Sequence, residues 1–416
     1  MKRSLLAIAV LLSACGGPSQ PPPPGVALKS KESRITQAPP ASDVSTIVTS
    51  NQDFGLDLLH RLAPEGNALI APHSIQLAFG MLYAGANADT KTAIEKTFHL
   101  PAGTSAYHPV MNYLDQQFAE IAQNGKARDG SQMKLDVQDQ LFTQKGFHVE
   151  QPYLDTLAKF YGAGVNQLDF EHQAESSRTA INDWVSTATQ QKITELFPQG
   201  AIDSSTRLTL VNTIYMDAGW AHAFDESATE DSPFHLASGT DATVKMMRAS
   251  LVHGSYAKDG DVVIAELPYS GGQLALTVVM PAKLSDIEPI DAAKLQGWFG
   301  QLHAEKLDIG MPRMKLEEKY TLDDALQAMG LSIAYSDQAD FSGISGDTSL
   351  SIQTAVHKTY GDISEKGTEA AAATGIGVGT TSVELGQAVT LDHPFVFFIR
   401  DTKSGEILFL GRFTGP

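Results

Sequence analysis

A single cysteine, Cys15, stands among 416 residues. That excludes an internal disulfide and any zinc or iron–sulfur centre built on several thiolates. Long apolar runs are missing as well; none reaches the 18 or so residues that a membrane-spanning helix needs. Positive charge is scarce, with 30 Lys and Arg against 48 Asp and Glu and a net charge of -18. Nucleic acid, heparin-like polymers and anionic lipid surfaces are recognised through clustered Lys and Arg, so none of them is an expected partner. Enzyme signatures fail in turn: there is no G-x-S-x-G elbow, no H-E-x-x-H pair and no G-x-x-x-x-G-K-[ST] loop. The 12 histidines are scattered singly, the pattern of surface or satisfied core residues. Gly375-Ile376-Gly377-Val378-Gly379 has a phosphate-cradle look, but no helix pattern follows it to supply an N-terminal dipole. No cofactor, metal or catalytic role is expected. What is present is a globular composition, 42% hydrophobic and 19% charged, on a chain long enough to bury a large core.

Lys2 and Arg3 precede an apolar run from Leu5 to Leu12, followed by Ser13-Ala14-Cys15. A charged start, a short apolar stretch and small residues before a break describe a secretory signal. Leu12-Ser13-Ala14-Cys15 resembles the lipobox of bacterial lipoproteins. That resemblance implies cleavage after residue 14 and a lipid (palmitate) on Cys15. With Gly16 next and no Asp to hold the protein at an inner membrane, the expected place is the bacterial cell envelope, at the outer membrane if the cell has two. Residues 15–43 then form a Pro-rich linker holding seven of the 20 prolines, Pro21 to Pro24 among them. Such a segment is expected to be stiff, solvated and without a core of its own.

From about Val44 to Pro416 no second Pro-rich break occurs, which predicts one large domain over 44–416. Helical spacing links Phe54, Leu58, Leu59 and Leu62, then Ile181, Trp184, Val185 and Ala188, then Leu322, Ala325, Leu326 and Met329. The last helix has Thr321 and Asp324 as a capping pair and Gly330 as its stop. Val262 to Leu267 and Leu274 to Met280 read as strands of a hairpin turning at Ser270-Gly271-Gly272. Arg207 to Tyr215 and Phe395 to Arg400 also read as strands. The fold class is α+β, with helices grouped early and strands later.

One segment fits no single element. Glu365 to Ser382 contains four successive alanines, which favour helix, and glycines, which favour loop. Read with period two, Thr368, Ala370, Ala372, Thr374, Ile376, Val378 and Thr380 share one small, uncharged face. The other face carries Glu369, Ala371, Ala373 and the glycines. The segment can serve as an exposed loop and as a buried central strand; an Ala-rich surface helix with a glycine stop is the plain alternative.

Glu365 to Ala373 resembles the hinge of the reactive-centre loop of the serpins. The likeness runs on through Asn67 to Leu100, Ile181 to Phe234, Val244-Lys245-Met246-Met247, Asp340 to Ser345, and Asp392 to Pro416. It implies the serpin fold: three β-sheets, eight or nine helices, and an exposed reactive-centre loop above a five-stranded sheet A. It assigns Glu365, Gly367, Thr368, Glu369, Ala370, Ala371, Ala372 and Ala373 to the hinge. Trp220 falls at the breach where the loop enters, and Ser74, Asn212 and His357 fall in the shutter beneath. Two departures from the family stand out: Ala71 where a serine is common, and Met216-Asp217-Ala218 in place of the usual Phe-Lys before Gly219.

What the resemblance implies is no enzyme but a suicide inhibitor of serine proteases. The protease attacks the loop and forms a covalent acyl-enzyme, and the cleaved loop enters sheet A as a new strand. Counting from Glu365 places the scissile bond at Thr381-Ser382, with Val383 and Glu384 as near alternatives. No Lys, Arg or aromatic residue lies in that stretch, so the expected targets are elastase-like or subtilisin-like. The protein is expected to be a monomer held to a membrane only by its N-terminal lipid. A non-inhibitory member, cleaved as a substrate or acting as a binding protein, is the alternative.

Overall fold

In the computed structural model, which describes residues 21–368 and 386–416, the chain's apolar spacing is met by real elements. Residues before the long strands are mostly helical: α1 (Ala41–Leu62), α2 (Pro72–Tyr83), α3 (Ala88–Thr97), α4 (Tyr107–Asn124), α5 (Gln151–Tyr161) and α6 (Phe170–Ala188). Between them run β1 (Val26–Leu28), β2 (Ala68–Ile70), β3 (Lys134–Gln144) and β4 (Val165–Leu168). Strands then dominate: β5 (Leu208–Gly219), β6 (Glu230–His235), β7 (Asp241–Asp259), β8 (Val262–Pro268) and β9 (Leu274–Met280). The remainder is α7 (Ala292–Gln301), β10 (His303–Pro312), β11 (Met314–Thr321), α8 (Asp323–Leu326) and α9 (Ser342–Ser345). It closes with β12 (Ala355–Ser364), β13 (Gly367–Thr368), β14 (Gln387–Thr390), β15 (Phe395–Asp401) and β16 (Ile407–Phe413).

The apolar faces read from sequence point inward. Phe54, Leu58 and Leu59 of α1 are buried, as are Ile181, Trp184, Val185 and Ala188 of α6. The predicted hairpin forms as β8–β9, closed at Gly271 and Gly272 with φ of 92° and 76°, a backbone that favours glycine. β9, β15 and β16 are buried along their whole length, β9 as a continuous apolar run and the other two with Arg400, Asp401 and Arg412 buried among apolar residues.

Two sheets result. The first has the order β1-β4-β3-β5-β13-β12-β11; the second runs β14-β10-β7-β8-β9-β15-β16-β2, with β6 on β7. Two of the three expected sheets are thus continuous, because the long β7 pairs with β6 and β10 and then with β8. The expected five-stranded sheet is β4, β3, β5, β12 and β11, and it has gained a strand at one edge and a short wedge in its middle.

The edge strand is a departure from the solvated linker predicted over 15–43. From Pro21 onward the segment lies against the body. β1 pairs antiparallel with β4. Pro21 accepts a hydrogen bond from the Trp184 indole at 3.0 Å, and Pro23 and Pro24 accept from Asn166 at 3.0 and 2.9 Å. Ile35 donates to the Lys159 carbonyl at 2.9 Å, and Arg34 donates to Asn112 at 2.8 Å and pairs with Asp115. A proline gives up its donor but keeps its carbonyl, so side-chain amides and an indole can hold a Pro-rich segment that could not fold alone.

The predicted cap of the helix after β11 is also different. Thr321 ends β11, and the helix starts at Asp323 without a side-chain cap. Asp323 instead accepts from the Ala355 amide at 2.8 Å and the Thr354 hydroxyl at 3.0 Å, tying the helix to the start of β12. The helical path breaks at Gly330, whose φ is 117°.

Candidate functional site

β5 and β12 are neighbours in the first sheet, yet they pair over only part of their length. At the lower end Leu210 to Thr213 pair in parallel with Ala355 to Lys358. At the upper end β13 is wedged between them: Gly367 faces Gly219 and Ser364, and Thr368 faces Ala218 and Ile363. Between wedge and lower pairing, residues 214–217 face 359–362, and no β5–β12 pairing spans that stretch. The sheet is therefore forked, with a four-residue gap in its centre.

The upper end is held by aromatic stacking and by the backbone of 364–366. Trp220 is buried; its indole donates to the Ser364 carbonyl at 2.9 Å and its amide to the Lys366 carbonyl at 3.0 Å. Its ring stacks on Tyr269 with centroids 4.5 Å apart, and the Phe224 amide donates to the Glu365 carbonyl at 2.8 Å. The Glu365 carboxylate is buried and accepts from Arg313 at 2.7 Å and from Thr229 at 2.5 Å. Burial alone would raise its pKa, but the hydrogen bonds from Arg313 and Thr229 win and hold it below the usual carboxylate range.

Thr368 lies 5% exposed, its hydroxyl sharing a 2.7 Å hydrogen bond with Tyr269. It lines an apolar cavity beneath the gap together with Leu69, Met314, Leu316, Phe397 and Phe409. The first member of the small face read at period two therefore points into the core.

Below the gap, Ser74, Asn212 and His357 come together as the sequence reading requires. Asn212 on β5 donates to the Ser74 hydroxyl at the start of α2 and to Asp139 of β3 at 2.6 Å. His357 on β12 sits opposite Asn212 and bonds its side-chain oxygen at 2.9 Å through Nδ1. Its Nε2 accepts from the Ala71 amide at 3.0 Å. These two bonds together require a neutral ring protonated on Nδ1. The backbone of Ala71 supplies the contact, so a serine side chain there is not needed for it. Burial pushes the His357 pKa down to about 3. Burial also pushes the Asp139 carboxyl well up, against the hydrogen bond from Asn212.

The pH consequence can be checked. Between the depressed folded value of His357 and its ordinary ~6.5, the unfolded chain binds a proton that the folded chain does not. Stability is therefore lost as pH falls through that window. His357→Asn should flatten the pH dependence of urea unfolding there by close to one proton, about 1.4 kcal/mol per pH unit. An unchanged slope would mean that the ring is already protonated in the fold. Asp139 works the other way, since a raised carboxyl loses stability as pH rises through its folded value, so the comparison must be made on the histidine variant.

Of the predicted site residues, Glu369, Ala370, Ala371, Ala372, Ala373, Thr381, Ser382, Val383, Glu384 and Cys15 lie outside the described residues. Sequence reading missed Tyr269, Arg313, Thr229 and Asp139. Tyr269 sits at the hairpin turn, while Thr229 ahead of β6, Arg313 between β10 and β11, and Asp139 on β3 meet the site with no local signal. Among the described residues no group of three or more His, Cys, Asp or Glu is placed to hold a metal ion. Nor is any helix among them long and apolar enough to cross a membrane.

The chain that builds this forked sheet is similar over most of its length to known proteins. Residues 49–416 match the family model described as serpin (serine protease inhibitor). The chain is 35% identical over 385 residues to the leukocyte elastase inhibitor of Homo sapiens, covering 88% of this chain and 99% of that protein. It is 33% identical over 392 residues to Serpin B3 of Homo sapiens, covering 90% and 100%. The crystal structure of uncleaved ovalbumin superposes with a TM-score of 0.77 at 27% identity, over 89% of this chain and 100% of that one.

Proposed function

We propose, from the premise that this chain belongs to the serpin family, that it traps serine proteases by inserting its own cleaved loop into the forked sheet. The observation that carries this reading is the wedge at Gly367 and Thr368. Its antiparallel register on β5, continued one residue at a time, sets residues 369–372 opposite 217–214. On the other side the same residues fall opposite 362–359 of β12. Once inserted, Glu369, Ala370, Ala371 and Ala372 would match the four-residue gap, with the alanines at 370 and 372 on the face that turns toward the apolar cavity. The first stage of insertion breaks no pairing.

The second stage meets the lower pairing. Ala373 and Thr374 would come opposite Thr213 and Asn212, displacing β12 from β5 and the His357–Asn212 bond with it. In the inserted strand Thr374 would fall on the inward face, where its hydroxyl could take over as partner to Asn212. Buried polar groups on parting strands need such an exchange of partners. Small uncharged residues at 370, 372 and 374 let the strand pass.

In this mechanism the chain is bait and not catalyst. The protease serine attacks the carbonyl of Thr381 and the peptide bond to Ser382 breaks, with Ser382-Val383 and Val383-Glu384 as neighbouring choices. The ester to the protease survives when insertion outruns its hydrolysis. Thr381 is small and β-branched, and the relatives include proteins named as leukocyte elastase inhibitors. Both support an elastase-like target, with subtilisin-like enzymes as a second group. A one-methylene difference in an apolar pocket is worth only ~1–3 kcal/mol, so neighbouring bonds can share the cut. The signal-like residues 1–14 and Cys15 support a lipid anchor on the bacterial cell envelope, outermost where there are two membranes, and the trap is proposed to act as a monomer.

One gel tests the reading. Incubation with elastase should give a covalent complex stable in SDS and a C-terminal peptide beginning at Ser382, whereas trypsin should give none. Cleavage by every protease tried, without any complex, would make the chain a substrate and overturn the proposal.

A further inference from the structure

From Pro21 to Ile35 the chain is held to the body at two places, and the stretch between them is bare. The first hold is β1 on β4, Val26 opposite Gln167 and Leu28 opposite Val165, with the carbonyls of Pro21, Pro23 and Pro24 accepting from Trp184 and Asn166. The second is Arg34 and Ile35 on α4 and α5. The fully buried Asn112 side chain accepts from Arg34 at 2.8 Å and donates to the Ile35 carbonyl at 2.8 Å. Gln116 donates to the same carbonyl at 2.9 Å, and the Ile35 amide donates to the Lys159 carbonyl at 2.9 Å.

Residues 29–33 cross from one hold to the other over the surface. Lys29, Lys31, Glu32 and Ser33 are exposed and belong to no helix or strand. Only side chains tie this stretch to the body, Ser30 to Asp155 at 2.6 Å and Glu32 to Lys159 at 3.5 Å. Exposed polar stretches of this kind are where proteases nick a folded chain. Two lysines in it select an enzyme with an acidic primary pocket. Other basic residues compete poorly. Among the described residues, the further exposed ones outside helices and strands are Lys126, Lys145, Lys283, Arg313 and Lys403, and each has its amide hydrogen-bonded. No Lys or Arg lies between Lys366 and Arg400, so the bait stretch offers the same enzyme nothing.

A protease must draw residues on both sides of the bond into its cleft, so one hold has to open. The first is the weaker, a three-residue edge strand with Val26 and Ala27 exposed. Local opening of so small an edge costs far less than unfolding the domain. Opening the second would strip both ends of a buried amide, since Asn112 spends its oxygen and its nitrogen on the arm. The N-terminal half therefore peels away first, and a cut after Lys29 or Lys31 leaves Asn112 its partners. The trap is left intact as well. β1 is the outer strand, with β4 and β3 between it and β5, and the residues that match the family model begin only at 49.

We propose that Lys29-Ser30 and Lys31-Glu32 are processing bonds, at which a trypsin-like protease frees the inhibitor body from everything N-terminal to it. Water is the co-reactant: the amide C–N bond breaks, the hydroxyl adds to the lysine carbonyl carbon, and both protons end on the new amino terminus, leaving a carboxylate. The departing fragment carries Cys15. Resting on the anchor reading given above, the cut then turns an attached trap into a diffusing one. One chain thus treats two protease classes differently: an acidic-pocket enzyme releases it, and a shallow-pocket enzyme is caught by it.

The test digests the full-length chain briefly with a trace of trypsin and reads the first product by intact mass and N-terminal sequencing. That product should begin at Ser30 or Glu32, end at Pro416, and trap elastase with the stoichiometry of the uncut chain. Lys29→Gln combined with Lys31→Gln, two exposed changes that leave the fold alone, should slow this first cut about tenfold or more. Asn166→Ala removes the hydrogen bonds to Pro23 and Pro24 and should speed it about threefold or more, because the hold that opens is weaker. A first cut anywhere else, a wild-type rate in the double variant, or a cut product that has lost the trapping of the uncut chain would overturn the proposal. The readings beneath it fail separately. A chain that traps no elastase even before trypsin is added faults the insertion reading. Trypsin added to intact bacterial cells making the full chain should release the body into the medium; if the purified chain is cut as expected and the cells release nothing, the anchor reading falls and the processing bonds stand.

Discussion

Thr368→Arg should be cleaved by elastase as readily as wild type and should form almost no covalent complex. Thr368 ends the described part of the wedge between β5 and β12, its hydroxyl on Tyr269 and its side chain over an apolar cavity. An arginine there must either bury an unpaired guanidinium among Leu69, Met314, Leu316, Phe397 and Phe409 or draw the wedge out of the sheet. An uncompensated buried charge costs about 3–5 kcal/mol. On the proposed mechanism trapping is a race between insertion and deacylation, and each ~1.4 kcal/mol is tenfold in rate. Insertion slowed by about a hundredfold or more would lose that race, leaving free active protease and two fragments. Complex formation at the wild-type level would show that residue 368 does not have to enter the sheet.

How much of this was legible in the sequence depends on how local each signal is. The inward parity of Thr368 was readable because a strand alternates faces whatever it pairs with. The hairpin at Ser270-Gly271-Gly272 was readable because glycines with positive φ mark a turn by themselves. Ser74, Asn212 and His357 could be named only through the family pattern, since they are 138 and 145 residues apart in sequence and meet only after three elements pack. Arg313 gave no signal. It acts by reaching the Glu365 carboxylate, 52 residues away, which sequence spacing cannot bring near. The Pro-rich start misled for a related reason. Its composition argues against a core of its own, but says nothing of Asn166, Trp184 and Asn112, which receive it.

Cleaving the loop near Thr381 should raise the melting temperature by on the order of 10 °C or more. In the uncut chain the inner edges of β5 and β12 are unpaired with each other across the gap, and an apolar cavity lies below it. Insertion past residue 372 gives both strands a full-length neighbour and seats Ala370, Ala372, Thr374, Ile376 and Val378 over the core. About ten ladder bonds at ~1 kcal/mol each are added. In a domain of this size about 1 kcal/mol moves the midpoint by roughly 1–2 °C. On the proposed mechanism the uncut chain does not take this gain on its own because the His357–Asn212 bond and the β5–β12 pairing beside it stand in the way, a kinetic barrier and not an equilibrium preference. Cutting would free the N-terminal leg to run the length of β5. Calorimetry on intact and elastase-cleaved protein, with cleavage verified by mass, measures the difference directly. If the two forms melt together, the loop does not enter the sheet, and the family membership of this chain would then describe its fold and not its way of working.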